Sequence, residues 1–208
     1  MSQSRPTTLF NYNLKDRKDA GVGNTYDKLL KATKENNLEA VRFLIQEGAY
    51  IKPTLRDTWR HNYSTPLHVA AGKGNLEILK VLFEAKDAYV DVRGGNNSTL
   101  LHCAACGGHL DVIKYLMDKG ADIDAQNCHG YTALHFTLTN KKPDATKLLM
   151  DRGANPYIKS APLCYSTALE WAQGINGLYH GTAEYKNLEL ADYMIKNYHP
   201  EVRKLTNG

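Results

Sequence analysis

A four-residue phrase returns along this chain at a nearly constant step, and that period restricts the fold more than any other feature. Thr65-Pro66-Leu67-His68 recurs as Thr99-Leu100-Leu101-His102, as Thr132-Ala133-Leu134-His135 and as Thr167-Ala168-Leu169-Glu170, at steps of 34, 33 and 35 residues. A second phrase follows the first three: GNLEILKVLFEA at 74–85, GHLDVIKYLMDKGAD at 108–122 and KPDATKLLMDRGANP at 142–156. An earlier copy, NNLEAVRFLIQEGAY at 36–50, lacks the Thr-x-Leu-His phrase. A later one, LELADYMIK at 188–196, follows an insertion. Self-similarity at this period marks an array built from one repeated supersecondary unit.

The letters of one unit have physical reasons. Thr65, Thr99, Thr132 and Thr167 stand where a side-chain oxygen can satisfy the free amides of a starting helix, and Pro66 occupies the favoured first helical position. Small residues follow, Ala70-Ala71 and Ala104-Ala105, which allow a neighbouring helix to approach closely, and Gly74 or Gly108 supplies the stop. A second helix then begins, with Leu110, Ile113, Leu116 and Met117 at helical spacing forming one apolar stripe, and Gly48, Gly120 and Gly153 end it. Helices this short cannot cover their own apolar faces, so successive pairs must stack. The period predicts five units, at 26–58, 62–94, 96–127, 129–161 and 164–199, preceded by a polar segment 1–25 expected to be mobile and followed by a tail, 200–208.

These letters resemble the ankyrin repeat family, down to TPLHVAAGKGNLEILKVL at 65–82 and GADIDAQNCHGYTALH at 120–135. The resemblance covers 26–199 and implies an all-α solenoid of stacked helix-turn-helix units whose turns project as β-hairpin fingers on one side. It also implies that His68, His102 and His135 are structural hydrogen-bonding groups tying adjoining turns together. Two stretches depart from the pattern. The fourth unit has Leu138 in place of the second alanine and Lys141-Lys142-Pro143 in place of Gly-His-Leu, and the fifth carries the insertion 174–185.

Cys103 and Cys106 form a Cys-x-x-Cys pair flanked by His102 and His109, which raises the question of a metal or redox centre. The period answers most of it. His102 is the repeat histidine and His109 the residue between helices, while Cys103 shares its slot with Val69, Phe136 and Trp171, and Cys106 with Gly72 and Thr139. A structural zinc site needs four nitrogen or sulfur ligands, and a redox thiol needs a stabilised thiolate; Cys128 and Cys164 stand one and two units away without a second close pair. Packing is the expected role, and no metal or cofactor is expected. No Ser/His/Asp set, phosphate loop or paired carboxylates appear at a mechanistic spacing, so the chain reads as a non-enzyme.

Function is then expected on the concave surface of fingers and inner helices, where the resemblance implies a protein-binding module or adaptor. Positions that vary between units are free of stacking constraints. They are Arg56, Trp59, Arg60, His61 and Tyr63 in the first turn; Arg93, Asn96 and Ser98 in the second; His129 and Tyr131 in the third; Tyr157 and Tyr165 in the fourth; and Lys73, Cys106 and Asn140 on inner helices. Tyr, Trp and Arg are the types enriched at interface hot spots. Trp171, on an inner helix, is expected to pack. The basic bias of the fingers suggests an acidic protein segment as partner. A formal net charge of +4 is too small to call for nucleic acid. Without a signal-peptide-like start or an apolar span, a cytoplasmic or nuclear setting is expected. The alternatives are a host-directed effector of a pathogen using the same binding physics, and a thiol or metal protein built on Cys103 and Cys106.

Overall fold

The computed structural model describes residues 22–51, 65–85, 88–160, 166–174 and 187–198. Two compact units divide the chain, one of residues 1–70 and 75–89, the other of residues 71–74 and 90–208.

In the first unit, helix α1 (Val22–Lys34) packs on α2 (Leu38–Gln46), and α2 packs on α4 (Leu76–Leu82). The apolar side chains at helical spacing are the ones enclosed: Leu29 and Leu30 of α1, Val41 and Leu44 of α2, Ile78, Leu79 and Leu82 of α4. Asn37 starts α2 by accepting a hydrogen bond from the Ala40 amide at 3.0 Å. Helix α3 (Pro66–Lys73), of which only the residues up to Ala70 belong to this unit, opens, as expected, on its proline, behind Thr65, whose hydroxyl lies 2.7 Å from Nδ1 of His68.

The second unit holds the helices α5 (Leu100–Gly107), α6 (Leu110–Asp118), α7 (Ala133–Thr139), α8 (Pro143–Asp151), α9 (Ala168–Gln173) and α10 (Leu188–Asn197). They form two rows. The first helices of successive pairs lie side by side, α5 on α7 and α7 on α9, while the second helices do the same, α6 on α8 and α8 on α10. Ala104 and Ala105 are fully enclosed where α5 meets its neighbours, which is the close approach that small residues permit. On α6 the covered stripe is Val112, Ile113 and Leu116. Leu110 and Met117, expected in that stripe, flank it half-buried, because the buried face is centred between Val112 and Leu116.

The irregular fourth copy keeps this geometry. Pro143 occupies the first turn of α8, where its missing N–H costs nothing. Lys141 adopts the left-handed conformation, φ 53°, that Gly108 (75°) and Gly174 (73°) adopt at the matching positions. Leu138 is enclosed, and Thr137 and Thr146 bury their hydroxyls as a relay in which Thr146 donates to Thr137 at 2.9 Å and Thr137 donates to the Leu134 carbonyl at 2.8 Å.

Among the described residues there is no strand, only an isolated antiparallel bridge between Lys159 and Thr167. The three finger bases among the described residues are each closed by a backbone hydrogen bond: Gly94 to Ser98 at 2.8 Å, Asn127 to Tyr131 at 3.0 Å, Ser160 to Ser166 at 2.9 Å. In the first of these, Asn96 and Asn97 both take positive φ (56° and 58°) and Ser98 donates to Gly95, the pattern of a tight turn that asparagine tolerates.

Candidate functional site

Nine of the side chains nominated by the sequence lie among the described residues, all in the second unit: Lys73, Arg93, Asn96, Ser98, Cys106, His129, Tyr131, Asn140 and Tyr157. Arg56, Trp59, Arg60, His61, Tyr63 and Tyr165 lie outside them, as do Cys164 and the insertion beyond Gly174.

The repeat histidines set the frame. The Thr99 amide donates to Nδ1 of His102 at 3.1 Å, so Nδ1 is an acceptor and the ring proton sits on Nε2. That Nε2–H donates to the Tyr131 carbonyl of the next finger at 2.8 Å. His135 repeats the arrangement, accepting from the Thr132 amide at 3.1 Å and donating to the Ser166 carbonyl at 3.4 Å. Each imidazole thus caps its own helix and holds the following finger in register. Burial lowers the His135 pKa to about 4, which keeps the ring neutral at pH 7, with His102 adding to the shift and the Ser166 bond opposing it. Glu170 takes the same place in the last copy: its carboxylate accepts from the Thr167 amide at 2.7 Å and from the Thr167 hydroxyl at 3.1 Å.

A second set of ties runs through residues spaced by one period. Arg93 donates through one guanidinium nitrogen to the carbonyls of Asn97 (3.1 Å) and Gln126 (3.0 Å), and Gln126 donates through Nε2 to the carbonyls of Gly130 (2.8 Å) and Lys159 (3.0 Å). Arg93, nominated as a contact residue, therefore serves first as a strut between two fingers. Asn140 likewise turns inward, donating to the Phe136 carbonyl at 2.9 Å. Tyr157 is exposed and stands edge-on to Tyr198, with ring centroids 5.3 Å apart.

Tyr131 is the nominated residue around which the structure gathers others. Its ring lies 5.2 Å from Trp171 at 65°, 6.3 Å from Phe136 at 83°, 5.7 Å from His135 and 6.0 Å from His129, centroid to centroid. Trp171 stands edge-on to His135 (5.0 Å, 86°), and Phe136 edge-on to His102 (5.4 Å, 86°). Tyr131, Phe136 and Trp171 are each half-buried, so they pack on one another and still face solvent. Sequence reasoning placed Trp171 in packing and passed over Phe136. The available signal was their shared slot with Val69 and Cys103, which is half-buried in all four copies.

The cysteine pair behaves differently. Cys103 is half-buried and Cys106 exposed, and burial, reinforced by Cys106, pushes the Cys103 thiol up to about 12, away from the thiolate that metal binding or redox attack requires. His109 is held by the fold: its Nε2–H donates to the Gly72 carbonyl at 3.0 Å, and its ring fills the space that a Cβ at Gly74 or Gly107 would need. Among the described residues no group of three or more His, Cys, Asp or Glu is arranged to hold a metal ion, and no helix is long and apolar enough to cross a membrane.

A family description reading "Ankyrin repeats (3 copies)" matches residues 6–94 and 87–160. The chain is similar to the Homo sapiens transient receptor potential cation channel subfamily A member 1, 32% identical over 90 residues, which are 43% of this chain and 8% of that protein. It is also similar to ankyrin repeat and SOCS box protein 2 of Mus musculus (34% over 101 residues) and of Bos taurus (33% over 101 residues), in each case covering 49% of this chain and 15% of the relative. The chain thus spans a small fraction of the length of these relatives.

Proposed function

We propose a function from one premise, that this chain belongs to the ankyrin repeat family, whose members generally mediate protein–protein interaction and are typically non-enzymatic. The protein binds another protein through the finger and inner-helix face of its second unit, acting as an adaptor that holds its partner or as an inhibitor that occludes it. The observation that carries this reading is the half-buried cluster of Tyr131, Phe136 and Trp171, drawn from a finger, α7 and α9. Aromatic side chains offer large contact area at low cost in rotamer freedom, and a partly covered aromatic cluster is the usual anchor of an interface.

Recognition on this face requires little rearrangement, because the ties from His102, His135, Arg93 and Gln126 fix each finger to its neighbour before any partner arrives. The expectation of an acidic partner rested on Lys52, Arg56 and Arg60, which lie outside the described residues, and on Arg93, which is engaged between fingers. Lys73 and Lys159, exposed among the described residues, are cations of this unit that support it. The free thiols Cys103, Cys106 and Cys128 suit a reducing compartment such as cytoplasm or nucleus.

Affinity capture from a cell lysate, comparing the wild type with a Tyr131→Ala/Phe136→Ala double variant of unchanged helical content, tests the proposal. Loss of most specifically captured protein is expected. Full retention by the double variant removes this face from consideration.

A further inference from the structure

We propose that the corner formed by Tyr131, Phe136 and Trp171 receives a basic side chain, lysine or arginine, from the partner; the inference rests on the binding face described above and names the group that fills it. Three observations support a cation over an apolar or acidic group. The first is ring geometry. Phe136 and Trp171 each stand edge-on to Tyr131, at 83° and 65°, and all three rings are half-buried, so part of their aromatic surface stays open to solvent. An aromatic face carries the negative part of the ring quadrupole and attracts ammonium or guanidinium groups within about 6 Å of its centre; arginine also stacks flat on it.

The second is the charge of the elements that build the corner. The finger segment 127–131, α7 and α9 contain one formally charged side chain, Glu170, in the slot where preceding copies have His68, His102 and His135. Its carboxylate, on the residue before Trp171, is held in place by the Thr167 amide and hydroxyl and gives α9 a fixed negative charge. Third, the imidazole that packs edge-on against Trp171 is uncharged at neutral pH, since burial holds His135 near 4, so that ring sets no positive charge against the indole. Lys159 lies on the adjoining finger, bridged to Thr167, and is the flanking positive charge that an acidic partner would use instead.

The test uses the full chain labelled with 15N, in which the indole N–H of Trp171 is identified by its loss in Trp171→Phe. Capped tripeptides Gly-X-Gly are titrated with X as lysine, arginine, norleucine or glutamate, norleucine matching the lysine stem without its charge. A saturable shift of the Trp171 signal with lysine and arginine is expected, with half-saturation raised several-fold by Glu170→Gln and by added salt, and not raised by Lys159→Ala. Equal binding of norleucine, preferential binding of glutamate, or the absence of a saturable shift with either cation overturns the inference. If lysate capture still depends on Tyr131 and Phe136 while norleucine matches lysine, the binding face stands and only the cation assignment falls.

Discussion

The third and fourth helical pairs of this chain, α5 with α6 and α7 with α8, reach the same geometry with different residues. The third uses Ala104-Ala105 at the helix contact and Gly108-His109-Leu110 at the turn; the fourth uses Thr137-Leu138 and Lys141-Lys142-Pro143. What the neighbours impose is a backbone path and a filled volume, and the letters follow only where no alternative exists. The left-handed turn residue is glycine in one pair and lysine in the other. The space against the preceding turn is filled by an imidazole ring in one and by a lysine stem in the other, since a Cβ on Gly74 would meet His109 and a Cβ on Gly108 would meet Lys142. The lesson is that the fourth pair departs from its relatives by compensated exchanges.

Compensation has a direction that can be broken. Leu138 fills volume that Ala105 leaves to its neighbours in the third pair, so restoring the more common residue, Leu138→Ala, should leave a cavity and cost about 3 kcal/mol. Urea unfolding checks this, and an unchanged midpoint would show that the fourth pair collapses freely.

A somewhat smaller effect follows from acid. His135 titrates near 4 in the fold against about 6.5 in the unfolded chain, so between these values the unfolded state holds more protons. Stability that is complete above pH 6.5 is therefore lost as pH falls, by about 2 kcal/mol at pH 5. His135→Gln should be less stable at pH 7 and should remove this share of the pH slope in paired unfolding curves at pH 7 and pH 5.

The smallest effect sharpens the comparison at the turns. Lys141→Gly relieves a left-handed lysine and should raise stability by up to about 1 kcal/mol, whereas Gly108→Ala places a Cβ at φ 75° and should lower it by about 1 kcal/mol or somewhat more. Melting temperatures moving in opposite directions support the shared turn geometry, and movement in the same direction refutes it.

The fold was legible in the sequence because its determinants are local. A threonine before a helix, a residue able to turn left-handed after it and small residues at the contact are read within a few positions, and the period repeats them. Pro143 and Lys141 obscured the fourth copy because a sequence shows the absence of glycine and not the φ that lysine will accept. The candidate site was less legible because its members are neighbours only across copies. Tyr131 could be nominated by itself, but its contact with Trp171 depends on α7 and α9 lying side by side, and Arg93 could be recognised as a strut only with the Gln126 carbonyl in place. The described finger bases are closed by single backbone hydrogen bonds and one isolated bridge, details that the repeat letters do not spell out.

Glu170 has a practical consequence for protein engineering. An imidazole has one nitrogen to receive from its own helix and another to give to the following finger, whereas a carboxylate only receives. Lengthening the array by grafting one of its own internal copies after the fifth would set that carboxylate against the newcomer's backbone oxygen. Such a graft calls for histidine at 170 before any other adjustment.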